Sequence, residues 1–322
     1  MKRSNNSILI TAVGGDIGQS AISSLLATEY GEKICGCDLD RYAAGRALLK
    51  RFKVAPPVSA EKEYEKFMLK LIKEWRLGYI VPLNEKEIEY FSRETGRYEE
   101  LGVKVLVLDR RLVSRFLDKY ETVKFLKANG FKTPRTFRPE EYQGELEFPL
   151  VLKARRSCGG KGLRVVNDKA ELEFYLERES GLIIQEQVGD RDREYTVAVF
   201  SDGENTHSIA FQRYLGYGSM TRFARLVNDK GTADLARKLA RACGLRGSLN
   251  VQLRKTSRGL MVFEINPRLS STVHFRHEFG FTDLKWWLDL CRGKKIVYRQ
   301  KYRSGVAVRT VGDVLFDLER IN

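Results

Sequence analysis

Two short runs of this sequence carry residue types that suit chemistry: Asn250-Val251-Gln252-Leu253, and Phe263-Glu264-Ile265-Asn266-Pro267-Arg268. Alternate residues of a strand share a face. Asn250 and Gln252 therefore point one way, and Glu264 and Asn266 likewise. If the two runs pair through a turn near Arg258, all four face one site. Gln252, Glu264 and Asn266 then offer oxygen ligands, which suit a hard cation such as Mg2+ or Mn2+. Arg268 adds a planar, fixed-charge donor suited to a phosphoryl group in transfer. The competing explanation is an amphipathic hairpin with a solvated polar face. It leaves two amides and a carboxylate on one face, followed by Asn-Pro-Arg, without a reason.

Three further constellations have chemical content. Lys153-Ala154-Arg155-Arg156-Ser157-Cys158-Gly159-Gly160-Lys161-Gly162 is a strand end running into a basic, glycine-rich turn. Glycines let such a turn lie against phosphate oxygens. A strand follows it instead of a helix, so it is not a Walker loop. Ile183-Ile184-Gln185-Glu186-Gln187-Val188, with Glu194-Tyr195 beyond, is an apolar strand leading into an acidic segment. Its backbone suits the edge of a base and its carboxylates suit ribose hydroxyls. Gly14-Gly15-x-x-Gly18, upstream of Asp38, has part of a dinucleotide fingerprint, but Val13 stands where the first glycine belongs. A tight strand-to-helix turn explains it more simply.

Composition narrows the classes. The 322 residues include 57 Lys and Arg against 42 Asp and Glu, a net charge of +15, with 43% hydrophobic residues. That is globular, not disordered. The positive charge is spread along the chain in short clusters such as Arg110-Arg111 and Lys294-Lys295, with no basic tail of the kind that grips a polyanion. The five cysteines (Cys35, Cys37, Cys158, Cys243 and Cys291) are scattered and match neither a disulfide framework nor a zinc site. No apolar run reaches membrane-spanning length and the N-terminus lacks a signal-peptide pattern, so the expectation is a cytoplasmic protein.

The elements that must position these residues fall into two patterns. Residues 7–13, 34–38, 79–82 and 103–107 read as strands alternating with helices, among them one with Ile22, Leu25 and Leu26 on its buried side and one from Glu63 to Trp75. That alternation predicts a parallel sheet covered on both faces. A helix from Lys119 to Asn129 follows, closed by Gly130. From Phe148 short strands dominate, over 150–153, 163–166, 182–187, 194–200 and 207–212. Their short connections favour antiparallel pairing. A helix over 232–243, with Leu235, Leu239 and Cys243 on one face, precedes the strands at 248–253 and 260–265.

Taken in order, these motifs resemble the ATP-grasp superfamily, and within it the ATP-binding halves of the carbamoyl-phosphate synthetase large subunit and their stand-alone relatives. Asp118-Lys119-Tyr120-Glu121-Thr122 resembles the segment bearing the first phosphate-binding cation, and Phe148 to Lys153 with its glycine loop resembles the second. The resemblance implies an α/β chain, α+β in its C-terminal part. A Rossmann-like pre-ATP-grasp domain would span 1–112, a small ATP-grasp subdomain 113–180 and a C-terminal subdomain 181–322. It implies ATP and Mg2+ as cofactors. Lys119, Lys153, Gly159, Gly160 and Lys161 would hold phosphates, Glu186 and Val188 adenine, and Glu194 ribose. Glu264, Gln252 and Asn266 would ligate the metal, and Arg268 with Glu264 would be catalytic.

The implied reaction joins a carboxylate to an amine through an acyl phosphate. The partners would be small molecules, with no nucleic acid or membrane, in a chain whose relatives are often homodimers. Gln252 departs from the acid that many members carry there. Ser270-Ser271-Thr272 departs from the segment that borders the acceptor site in relatives. Arg213, Arg225 and Arg276 are candidate anchors for an anionic acceptor, and His274 and His277 lie near enough in sequence to meet it. Two rival readings stand beside this one. The first is a dinucleotide-dependent reductase using Gly15, Gly18 and Asp38. The second is a basic nucleic-acid-binding protein.

Overall fold

The run Ser-Ile-Leu-Ile-Thr is buried on both of its faces, and both faces need apolar cover. In the computed structural model, which describes residues 6–157, 162–190, 194–216, 220–310 and 312–316, this run is strand β1 (Ser7–Thr11). It sits at the centre of a five-stranded parallel sheet. After β1 come helix α1 (Asp16–Leu26), β2 (Ile34–Asp38), β3 (Phe52–Val54), α2 (Glu61–Trp75), β4 (Leu77–Val81), α3 (Glu85–Glu100) and β5 (Lys104–Val105). The strand order is β3-β2-β1-β4-β5, and every pairing is parallel. The predicted alternation of strands and helices is thus present, with its direction reversing between β1 and β4.

Helices α4 (Arg110–Phe116) and α5 (Lys119–Ala128) lead out of this sheet. Strands β6 (Thr136–Phe137), β7 (Leu150–Ala154), β8 (Arg164–Val166) and β9 (Leu182–Glu186), with α6 (Lys169–Arg178) between the last two, make a four-stranded sheet of order β6-β9-β7-β8. All its pairings are antiparallel. The next elements are β10 (Glu194–Ser201), β11 (Thr206–Leu215), β12 (Thr221–Val227), α7 (Lys230–Cys243), β13 (Gly247–Thr256) and β14 (Gly259–Asn266). They are followed by α8 (Val273–Glu278), α9 (Asp283–Cys291) and β15 (Val306–Val308). The second antiparallel sheet runs β14-β13-β10-β11-β12-β15.

The strand periodicity divides the core. Ile8 and Ile10 join a large cluster that also takes in Val197, Phe200, Val251 and Trp286, so one face of the parallel sheet shares its core with the six-stranded sheet. Leu9 points the other way, into a cluster with Cys35, Cys37, Met68 and Phe91. The four-stranded sheet has its own small core around Leu150, Leu152 and Ile184. The four described thiols, Cys35, Cys37, Cys243 and Cys291, are free. Among the described residues no helix is long and apolar enough to cross a membrane.

Several local expectations shift. In α1 the buried side is Gly18, Ala21, Ile22 and Leu25, whereas Leu26, expected there, is exposed at the end of the helix. The strands predicted at 248–253 and 260–265 leave a six-residue turn near Arg258; the β13–β14 turn is tighter, because β13 runs on through Thr256 and leaves only Ser257 and Arg258 between the strands. Strand β12 has no clear strand pattern in the sequence, because Arg222 and Arg225 interrupt its apolar residues. Its inward residues are Thr221, Ala224 and Leu226. Helices α8 and α9 and strand β15 are likewise additions to the predicted elements.

Candidate functional site

The β13–β14 pair sets the site. Its register places Asn250 opposite Asn266 and Gln252 opposite Glu264. The four polar side chains therefore lie together on one stretch of sheet, as the alternation requires. The register then slips between Gln252 and Leu253, where Leu253 meets Val262 and Phe263 is the extra residue. Such a bulge re-aims a side chain. Phe263 accordingly faces the four-stranded sheet, with the Lys153 ammonium 5.1 Å and the Arg254 guanidinium 5.6 Å from its ring centroid.

Glu264 and Gln252 are half-buried, and neither hydrogen-bonds to a described residue. Asn266 is buried, and its Nδ2 has no partner among the described residues. Asn250 gives its Oδ1 to the Thr196 hydroxyl at 2.7 Å, and its Nδ2 is likewise unpartnered. The set is thus one carboxylate and two amide oxygens without hydrogen-bond partners among the described residues. Among the described residues no group of three or more His, Cys, Asp and Glu side chains gathers to hold a metal. Oxygen-only ligands with a single negative charge fit Mg2+ when a ligand's phosphates complete the shell, which is how that ion is commonly held.

On the four-stranded sheet, Lys153 is the penultimate residue of β7 and nine-tenths buried. Its Nζ donates to Gln185 Oε1 at 2.7 Å; Gln185 Nε2 donates to Thr136 Oγ1 at 2.8 Å, and that hydroxyl to the Pro134 carbonyl at 2.9 Å. Every link has a defined direction, so the ammonium is held in one place. Burial pulls the Lys153 pKa down to about 8, with Lys119 and Arg254 adding to the fall and Glu264 and Glu194 opposing it. Lys119 opens α5, whose N-cap Asp118 accepts from the amides of Tyr120 and Glu121. Lys119 Nζ donates to the Ser157 carbonyl at 2.6 Å, at the start of the glycine-rich turn. Gly159, Gly160 and Lys161 lie outside the described residues.

The segment read as a nucleotide hinge is more closely tied than the sequence suggested. The Glu186 amide donates to the Arg135 carbonyl at 2.9 Å, and its carboxylate accepts from the Arg135 amide at 2.7 Å and pairs with Arg258 at 3.0 Å. The Val188 carbonyl accepts from Arg254 Nη1 at 3.0 Å. The Val188 N–H has no partner among the described residues and remains available to an acceptor.

Glu194, expected to meet ribose, is engaged elsewhere. Its Oε1 accepts from Arg213 Nε and Nη2 at 3.0 and 2.6 Å, and its Oε2 from Arg254 Nη2 at 3.2 Å. A buried carboxylate between two guanidiniums ties β10 to β11 and β13, and Arg213 is correspondingly not free to anchor a substrate. Arg276 is fully buried and bound to both oxygens of Asp283 at 2.8 and 2.7 Å, so it too is structural. Arg225 is exposed on β12. His274 and His277 stack 6.5 Å apart, both with pKa values lowered by burial.

Arg268 has a partner that sequence reading missed. Its Nη2 and Nε donate to Glu85 Oε1 at 3.0 and 3.3 Å, and its Nη1 to the Leu269 carbonyl at 3.1 Å. Glu85 follows the N-cap Asn84 at the start of α3, just past the end of β4. The loop beyond a parallel strand's carboxyl end, where ligands usually gather in such sheets, was the available clue.

The N-terminal glycine turn has a structural explanation. Asp38 Oδ2 accepts from the Gly14 amide at 2.8 Å and its Oδ1 from the Asp40 amide at 3.0 Å. A Cβ at Gly18 would stand 2.4 Å from the Ala12 carbonyl oxygen. Close helix–strand packing thus requires glycine there.

The sequence profile of the ATP-grasp domain matches residues 116–272. A carbamoyl phosphate synthase large chain from Clostridium beijerinckii is 31% identical over 146 residues, covering 40% of this chain and 14% of that one. The Thermus thermophilus large chain is 28% identical over 199 residues, covering 55% of this chain and 19% of that one. This chain therefore corresponds to a minor part of those proteins. Among solved structures, the N5-carboxyaminoimidazole ribonucleotide synthetase of Thermus thermophilus superposes with a TM-score of 0.74 at 17% identity, over 95% of this chain and 84% of that one. The biotin carboxylase domain of the Hydrogenobacter thermophilus 2-oxoglutarate carboxylase, a dimer solved with MgADP, ADP and bicarbonate, gives 0.71 at 17% identity, over 92% and 71%. These likenesses establish the fold.

Proposed function

With an ATP-grasp domain at residues 116–272 as the premise, we propose that the chain is an ATP- and Mg2+-dependent ligase that joins a small-molecule carboxylate to an amine through an acyl phosphate. The observation that carries this reading is the geometry of Glu264. It is a half-buried carboxylate with no hydrogen-bond partner among the described residues, opposite Gln252 on the neighbouring strand and in electrostatic contact with the buried ammonium of Lys153.

In this reading the nucleotide lies between the four-stranded and six-stranded sheets. The Val188 N–H faces the base, in the hinge that Arg254 and Glu194 brace, and Phe263 supplies an apolar floor between Lys153 and Arg254. Lys119 and Lys153 hold phosphates together with Gly159, Gly160 and Lys161. Gln252, Glu264 and Asn266 would hold Mg2+, which would supply neutralisation of phosphate charge. Arg268 steadies the phosphoryl group as the acceptor carboxylate attacks it. An amine then displaces phosphate from the acyl carbon. No enzyme nucleophile takes part, so positioning and charge neutralisation carry the catalysis.

The test is thermal stabilisation by ATP, with and without Mg2+. A ligand bound only by the folded state at a hundred times its Kd adds about 2.7 kcal/mol. A shift with ATP that needs Mg2+ supports the ligase. A shift with NADH and none with ATP favours the reductase alternative and the N-terminal glycine turn as the working site. Retention on a polyanion column without response to either nucleotide favours the nucleic-acid alternative.

A further inference from the structure

Helix α3 starts just past β4 and carries Glu85, Glu87 and Glu89 in its opening turns. Two of these acids are satisfied within the protein. Glu87 is buried and accepts from the hydroxyls of Thr11 at 2.7 Å and Tyr64 at 2.6 Å. Glu89 pairs with Arg156 at 2.7 Å. Glu85 is different. Both of its contacts with Arg268 fall on Oε1, and its Oε2 has no partner among the described residues. Arg268 and Glu85 are 14% and 19% exposed, so the pair is shielded from bulk water yet open to a ligand.

Mg2+ and the amine nucleophile apart, a carboxylate here opposes what the site has to hold. Nucleotide phosphates, the carboxylate to be activated and the acyl phosphate are all anions, and Glu85 repels each of them at a range where the dielectric is reduced. Arg268 alone would hold them better. Helix capping does not need Glu85, since the Asn84 side chain already accepts from the Lys86 amide at 2.9 Å. The arrangement becomes complementary when the acceptor carries a positive charge close to its carboxylate. That carboxylate would meet the N–H groups of Arg268 left over after its three protein contacts. The neighbouring ammonium would meet Glu85 Oε2. An acceptor without the amine leaves Glu85 facing an anion, so the pair selects by repulsion as well as by attraction.

We infer that Glu85 is the specificity residue of this site, and that with Arg268 it takes an acceptor bearing an amino group next to the carboxylate. The inference rests on the ligase reading given above.

The test measures ADP release from MgATP by the full chain with matched acids: L-alanine against propionate, L-glutamate against glutarate, and L-lysine against 6-aminohexanoate. In the wild type, at least one α-amino acid should drive ADP release at least tenfold more efficiently, by kcat/KM, than its partner lacking the α-amino group. Glu85→Gln should lower that preference at least tenfold, and Glu85→Asp should recover part of it. Equal or better use of the acids lacking the α-amino group overturns the inference. So does a preference that Glu85→Gln leaves intact, or the absence of ADP release with every amino acid. The ligase reading has its own criterion: it falls only if ATP fails to bind with Mg2+ in the stabilisation experiment.

Discussion

At the scale of single residues, two side chains face each other across the cleft with opposite demands. Glu264 is a charged group with no hydrogen-bond partner among the described residues, an arrangement that makes sense when a cation joins it. Glu264→Gln is expected to remove the Mg2+-dependent part of ATP stabilisation and to reduce turnover by roughly 100-fold or more, as deletion of a single transition-state electrostatic contact does. Circular dichroism should show an unchanged fold. Lys153 has a pKa pulled down to about 8 by burial. Two pH effects follow. ATP affinity should hold below pH 8 and weaken as the ammonium deprotonates above it. Stability should move the other way. Between about pH 8 and the ordinary lysine value the unfolded chain binds more protons than the folded one, so stability rises with pH. Urea unfolding at pH 7.5 and 9.5 should show that gain in the wild type and its absence in Lys153→Met.

At the scale of elements, the strand-to-helix turn after β1 and the bulge in β14 do different work. The turn packs α1 against β1 so closely that a Cβ at Gly18 would sit 2.4 Å from a backbone oxygen. Gly18→Ala is therefore expected to destabilise the fold by about 1–3 kcal/mol, while ATP affinity in the folded protein stays within about twofold. Urea titration and calorimetric binding read the two effects separately, and lost affinity without lost stability would point back to a ligand at that turn. The bulge brings Phe263 to the cleft, against Lys153 and Arg254. Phe263→Ala should weaken nucleotide binding about tenfold, the order of a lost base–aromatic contact, with little change in the response to Mg2+.

At the scale of the whole molecule, cores and ion pairs decide what unfolds together. The parallel sheet and the six-stranded sheet share one large core, and the four-stranded sheet has a small one of its own. Heat should melt the first two in a single transition. Amide exchange should be faster in β7–β9 than in β1 or β13, and saturating ATP should slow it most there. Buried polar pairs fasten α8 and α9 in place. The Tyr30 hydroxyl donates to Asp289 at 2.6 Å, joining the parallel-sheet half to α9. Arg276 and Asp283 fix α8 to α9, both with side chains only 1% exposed. Asp283→Asn should cost about 3–5 kcal/mol, because it strands a buried guanidinium. An effect confined to acceptor KM would return Arg276 to the substrate site.

The order of motifs and the local pattern carried a good deal of this. Alternating apolar strands and helices called for a parallel sheet, since a strand buried on both faces must be apolar throughout. Asn250, Gln252, Glu264 and Asn266 converge because strand alternation is a local rule. Other features depend on pairings between distant segments, which no local pattern records. Arg268 and Glu85 lie in different sheets' connections, Glu194 is claimed by Arg213 and Arg254, and Arg276 by Asp283. Sequence shows which residues are charged. Whether a guanidinium meets a substrate or a buried carboxylate is decided by which chain segment desolvates it, and only the tertiary structure brings that segment into place.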